Sequence, residues 1–114
     1  MKNLSQLKLK DNEKKALLEV KEKLLQKFQG AEFIIYGSKA RGDYEEFSDI
    51  DLLILLDSKV PQKLKEEIRG IIYDIELEYD VVFGTIVEDR NFWNSPLANV
   101  MPFHLNVDRE GIRV

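Results

Sequence analysis

The chain has 114 residues, a formal charge of −4 and no cysteine. That length fits one domain and not two, and the missing cysteine excludes disulfides, thiolate zinc sites and cysteine nucleophiles. The acidic balance argues against strong nucleic-acid binding through phosphate neutralisation, which needs a Lys/Arg excess, but leaves room for a small anion held by a local cluster. Apolar residues make up 44% and charged residues 33%, the balance of an ordinary soluble globular protein. The first residues lack the apolar stretch of a signal peptide. The longest apolar run, Leu52 to Leu56, is far too short to cross a bilayer, so no membrane association and a cytoplasmic location are expected.

Asp11 to Gln29 reads as a helix. Leu17, Val20, Leu24 and Phe28 fall on one face, with Leu18 and Leu25 widening the stripe. Asp11 is the expected N-cap and Gly30 the expected residue just past the C-terminus. Ala31 to Tyr36 is a short β-rich run ending at Gly37. A polar, turn-rich segment follows from Ser38 to Ser48, and its first turn, Ser38-Lys39-Ala40-Arg41, can form a short helix. Asp49 to Leu56 is a second strand. Pro61 opens a second long helix that keeps its period through Leu64, Ile68, Ile71, Ile75 and Tyr79. Gly70 is a weak spot inside it. Asp80 to Val87 is a third strand, Glu88 to Asn94 a helical turn, and Pro96 to Arg109 a last helix that Gly111 stops. Ile112-Arg113-Val114 is a short extended tail. Strands alternating with helices predict an α/β sandwich.

Side chains alternate along a strand, so Ile50, Leu52, Ile54 and Leu56 share one face and Asp49, Asp51, Leu53 and Leu55 the other. The strand is apolar on both faces except at its start, as expected of a central strand covered on both sides. Two carboxylates about 7 Å apart at their Cα atoms repel each other unless a cation sits between them, and burying unpaired charge costs several kcal/mol. A hard divalent ion with oxygen ligands resolves this. Taken alone, Asp-x-Asp is common and is more often the exposed entry of a strand, capping a turn. Gly37-Ser38 follows a strand and opens a helix, where backbone N–H groups and the helix dipole favour anions. Gly37 permits close backbone approach, Ser38 adds a hydroxyl, and Lys39 and Arg41 add positive charge. Taken alone, Gly-Ser is more often a plain turn. Together, a phosphate cradle at the end of one strand and a metal-binding pair at the start of the next are the layout for a nucleoside triphosphate with magnesium. His104, the single histidine, lies on an apolar helix face and reads as a core or interface residue. Phe92 and Trp93 read as packing.

From Gly37-Ser38-Lys39-Ala40-Arg41-Gly42-Asp43 through Ser48-Asp49-Ile50-Asp51-Leu52-Leu53, the sequence resembles the signature of the nucleotidyltransferase (polymerase β-like) superfamily, closest to its minimal (MNT) members. The match is specific over about Phe33 to Leu56 and looser over the rest. The resemblance implies a nucleotidyltransferase fold, an α/β (α+β) arrangement of a short mixed sheet flanked by helices. It implies Mg2+ (or Mn2+) with ATP or another NTP as substrate, and transfer of NMP, AMP by preference, to a hydroxyl. Asp49 and Asp51 are implied as catalytic metal ligands, and Gly37 and Ser38, with Lys39 and Arg41 beside them, as nucleotide-binding residues. A third carboxylate on a later strand is expected as ligand or base, and Asp80 in Tyr79-Asp80-Val81 fits that local pattern, with Glu76 and Glu78 as rivals. The best-known family arrangement pairs an MNT antitoxin with a helical HEPN toxin, whose tyrosine receives AMP. A non-catalytic nucleotide- or partner-binding module and a small-molecule nucleotidyltransferase acting as a homodimer are the alternatives.

Overall fold

The computed structural model describes residues 7–42 and 48–114. The elements run α1 (Asp11–Lys27), β1 (Glu32–Tyr36), α2 (Gly37–Arg41), β2 (Ile50–Leu56), α3 (Gln62–Tyr79), β3 (Phe83–Asp89), α4 (Arg90–Trp93), α5 (Pro96–Asn99), α6 (Pro102–Glu110) and β4 (Ile112–Arg113). The strands form one mixed sheet in the order β3-β2-β1-β4. β1 pairs antiparallel with β2 and with β4, and β2 pairs parallel with β3 across the α3 crossover.

The double-sided apolar pattern of β2 places it where the sequence predicts. Ile50, Leu52, Ile54 and Leu56 join Phe33 and Ile35 of β1 in a core completed by Val20 and Leu24 of α1 and by Ile68, Ile72 and Ile75 of α3. On the opposite face Leu53 and Leu55 join Ile34, Trp93 and Val107, with Tyr36, Ile86 and Phe103 packed against them. Helices therefore cover both faces, which is what makes a strand such as β2 stable with hydrophobic residues on each side. Asp51 lies on the second of these faces, at the point where β2 has just begun.

Several boundaries differ from expectation, each for a local reason. Lys10, not Asp11, is the N-cap of α1, and its N–H donates to Glu13 Oε1 at 2.8 Å. Helix α1 ends at Lys27 with Phe28 as its C-cap, so Gly30 does not terminate it. Pro61 precedes α3 as its N-cap. Asp80 does not start a strand: it caps α3 in the left-handed conformation (φ 55°, ψ 52°), and β3 begins at Phe83. The predicted helix from Pro96 to Arg109 is two helices, because Pro102 lacks an N–H and holds Met101 in extended backbone (ψ 137°).

Candidate active site

The site is built where β1 hands over to α2. Gly37 has φ +74°, a conformation that L side chains rarely adopt. A Cβ at this position would also collide with the carboxylate of Asp51. In the sheet Asp51 stands opposite Tyr36 on β1 and Gly84 on β3. A Cβ on Gly84 would lie 2.9 Å from Asp51 Oδ1. The Asp51 carboxylate is thus lodged over two glycines, one from each neighbouring chain segment. Helix α2 turns away immediately and ends at Gly42, whose left-handed backbone (φ 82°) lets its N–H reach Ser38 O at 2.9 Å.

The electrostatics fit a cation site. Burial pushes the Asp51 carboxyl above the ordinary aspartate range, and the negative charge of Asp49 pushes it further, while Arg41 pulls it down. Tyr36 is pushed up to about 12, first by burial and then by the Asp51 charge. Its ring meets Phe103 edge to face, with centroids 5.1 Å apart. A buried carboxylate raised by the charge of a second one nearby, offering only oxygen donors beside backbone with no side chain in the way, suits a hard divalent ion such as Mg2+ or Mn2+.

The structure brings Gly37, Arg41, Asp49 and Asp51 together and places other expected residues differently. Ser38 is half-buried in the first turn of α2. Lys39 is turned inward: it is 1% exposed, and its Nζ pairs with Glu13 Oε2 at 2.9 Å. The expected cation at the phosphate loop is instead a tie between α2 and α1 through this ion pair. Removing one partner of a buried pair strands the other charge. Lys39→Met should therefore lower unfolding stability by about 3 kcal/mol, measured by urea denaturation, and simultaneous replacement of Glu13 by Leu should restore part of the loss. Asp80 is not drawn into the Asp49–Asp51 pair. It lies in a cleft with Lys10, Asn12, Glu13 and Ser48, and the Asn12 amide donates to the carbonyls of Tyr79 at 3.0 Å and Asp80 at 3.5 Å. Among the described residues no three Asp, Glu, His or Cys side chains form a metal cluster. His104 is buried, stacked on Trp93 at 4.2 Å, with Nδ1 3.1 Å from Asp108.

The profile of the family described as "Nucleotidyltransferase domain" matches residues 17–102. That span runs from α1 through the glycine-bedded Asp51 to the start of α6. The chain belongs to the nucleotidyltransferase domain family. Two relatives from Methanocaldococcus jannaschii, each named "Putative protein adenylyltransferase", are similar to it. One is 37% identical over 102 residues, covering 88% of this chain and 95% of the relative. The other is 35% identical over 74 residues, covering 65% and 75%. The four-stranded mixed sheet flanked by helices agrees with a nucleotidyltransferase fold, and membership of the family makes the chain a transferase. Among the described residues no helix is long and apolar enough to cross a membrane.

Three residues around Asp51 and Gly37 escape a reading by motif. Gly84 carries a faint signal, since a glycine inside a strand often marks close approach of another group. Tyr36 is adjacent to the motif, yet only the β1–β2 register shows that it faces Asp51. Glu110 carries no local signal. Its Oε1 accepts the N–H of Gly37 at 3.3 Å across 73 residues of sequence, and its carboxylate accepts from Arg41 Nη1 at 3.1 and 3.2 Å.

Proposed function

We propose that the chain transfers AMP from ATP to a hydroxyl on a protein acceptor. The observation that carries this reading is the Asp51 carboxylate held over Gly37 and Gly84, which joins a glycine turn suited to phosphate to a pair of acids. In this reading Asp49 and Asp51 hold Mg2+, or Mn2+ in its place, and the Gly37–Ser38 backbone and the Ser38 hydroxyl bind the β- and γ-phosphates. Arg41 neutralises the triphosphate. The ion would offset the paired carboxylates and the charge that develops on the departing phosphates. The acceptor oxygen forms a bond to the α-phosphorus, the bond from that phosphorus to the β-phosphate oxygen breaks, and pyrophosphate leaves with the electron pair. The hydroxyl proton passes to a base. Asp80 is our candidate for that base and third carboxylate. Its cleft includes Ser48, the residue next to Asp49, so an acceptor seated there would lie beside the acids.

The names of the two relatives support a protein acceptor. We propose a tyrosine on a small helical protein of the HEPN type, for which this chain acts as antitoxin. A second reading, neutralisation by contact without transfer, is favoured by the lack of a third acid beside Asp49 and Asp51 among the described residues. The two readings separate when the protein is incubated with magnesium, ATP labelled at the α-phosphate and lysate of the source organism. Label on a protein band that disappears with Asp51→Asn supports transfer. No label with any NTP or divalent metal, with partner capture intact in the double variant Asp49→Asn/Asp51→Asn, supports contact alone.

A further inference from the structure

Glu110 occupies the backbone and guanidinium donors of the Gly37–Arg41 turn. It accepts the Gly37 N–H at 3.3 Å and bridges the Arg41 guanidinium at 3.1 and 3.2 Å. Its side chain is 14% exposed against 44% for Arg41, so the carboxylate is the inner partner. The placement is not explained by its own helix. Glu110 is the last residue of α6, where the helix dipole disfavours an anion. What holds it is the donor pair of α2, the same backbone N–H and arginine assigned above to the triphosphate.

We propose that Glu110 is a built-in competitor for the triphosphate, an autoinhibitory contact from α6 that nucleotide must displace. This inference rests on the triphosphate reading of the Gly37–Arg41 turn. While Glu110 stays in place it neutralises Arg41 and occupies the Gly37 N–H, and its charge opposes an incoming polyanion. Its displacement releases the Gly37 N–H and gives up its hold on Arg41 in one event, because one carboxylate contacts both. The cost of displacement appears as weakened nucleotide affinity. A partner that engages the end of α6 and draws Glu110 outward would raise that affinity, by linkage between the two events.

The test is calorimetric titration of the full chain with magnesium-ATP and, separately, with inorganic tripolyphosphate, comparing the unaltered protein with Glu110→Gln and Glu110→Asp. Glutamine keeps the length and loses the charge. Aspartate keeps the charge and is one methylene too short to hold the Gly37 N–H and Arg41 together. Both variants should bind each ligand about tenfold more tightly, a change of about 1.4 kcal/mol. Melting of each variant without ligand checks that it is folded. Unchanged or weaker binding of both ligands by the variants overturns the competitor role and makes Glu110 a residue that positions Arg41, while the nucleotide reading survives if the unaltered protein binds magnesium-ATP. Tighter tripolyphosphate binding without any ATP binding keeps the competitor and removes the nucleotide. If no protein binds either ligand, both proposals fall.

Discussion

Asp51→Asn is expected to lower nucleotidyl transfer by about 10²–10³-fold, the loss typical when one preorganised electrostatic contact to a transition state is removed, and at the same time to make the ligand-free protein more stable at neutral pH. Both effects come from the same carboxylate. Burial and the charge of Asp49 raise its folded-state pKa above the ordinary value of 3.8. A group with a raised folded pKa binds its proton more tightly in the folded than in the unfolded chain. Its favourable contribution is complete below the unfolded value and is lost as pH rises through the folded value. Above that window the ionised carboxylate opposes folding, and an uncharged amide of the same shape removes the opposition. Thermal melting without metal between pH 3 and 8 checks the sign. The gap between variant and unaltered protein should open as pH rises and narrow when Mg2+ is added. A variant that melts lower at neutral pH, or that transfers normally, contradicts this assignment.

Gly37→Ala is the second large effect, and it separates strain from function. Alanine at φ +74° is a sparsely populated conformation that costs about 1–3 kcal/mol. Its methyl group would also displace the Asp51 carboxylate. Gly42→Ala is the matched control. Gly42 has φ +82° but its added Cβ meets no described atom within 4 Å. Both substitutions should lower stability in urea denaturation, Gly37→Ala by more because its methyl group also meets Asp51. Gly37→Ala should also lose magnesium-ATP binding, whereas Gly42→Ala should keep most of it. Equal losses of binding would mean that the turn acts only through its backbone shape, with no role for the seat under Asp51.

Much of the frame is readable from local pattern. Hydrophobic residues on both faces of Leu52 to Leu56 announce a central strand, and strand alternation alone puts Asp49 and Asp51 on one side. The Gly-Ser turn predicts the short helix that the structure shows at Gly37–Arg41. What local pattern misses depends on packing between distant segments. Lys39 looks like a phosphate-loop cation until α1 is placed beside it, after which its ammonium finds Glu13. The helix expected across Pro96 to Arg109 overlooks Pro102, whose ring ends one helical segment and starts another. The strand expected from Asp80 begins three residues later because Asp80 completes the turn out of α3. Gly84 becomes meaningful only when the parallel β2–β3 register sets it against Asp51. Glu110 reaches the turn from the far end of the chain, a contact that no spacing rule foresees.

The proposed transfer requires that Gly37, Ser38, Asp49 and Asp51 together form a metal–triphosphate site. The most direct measurement is the melting of the purified chain with and without magnesium-ATP, with Asp51→Asn run in parallel. At a free ligand concentration of about 100 times the dissociation constant, binding should add about 2.7 kcal/mol of stability, and the rise should require both the metal and the nucleotide and be lost in Asp51→Asn. A melting temperature indifferent to magnesium-ATP, or a rise of the same size in the variant, would contradict the claim.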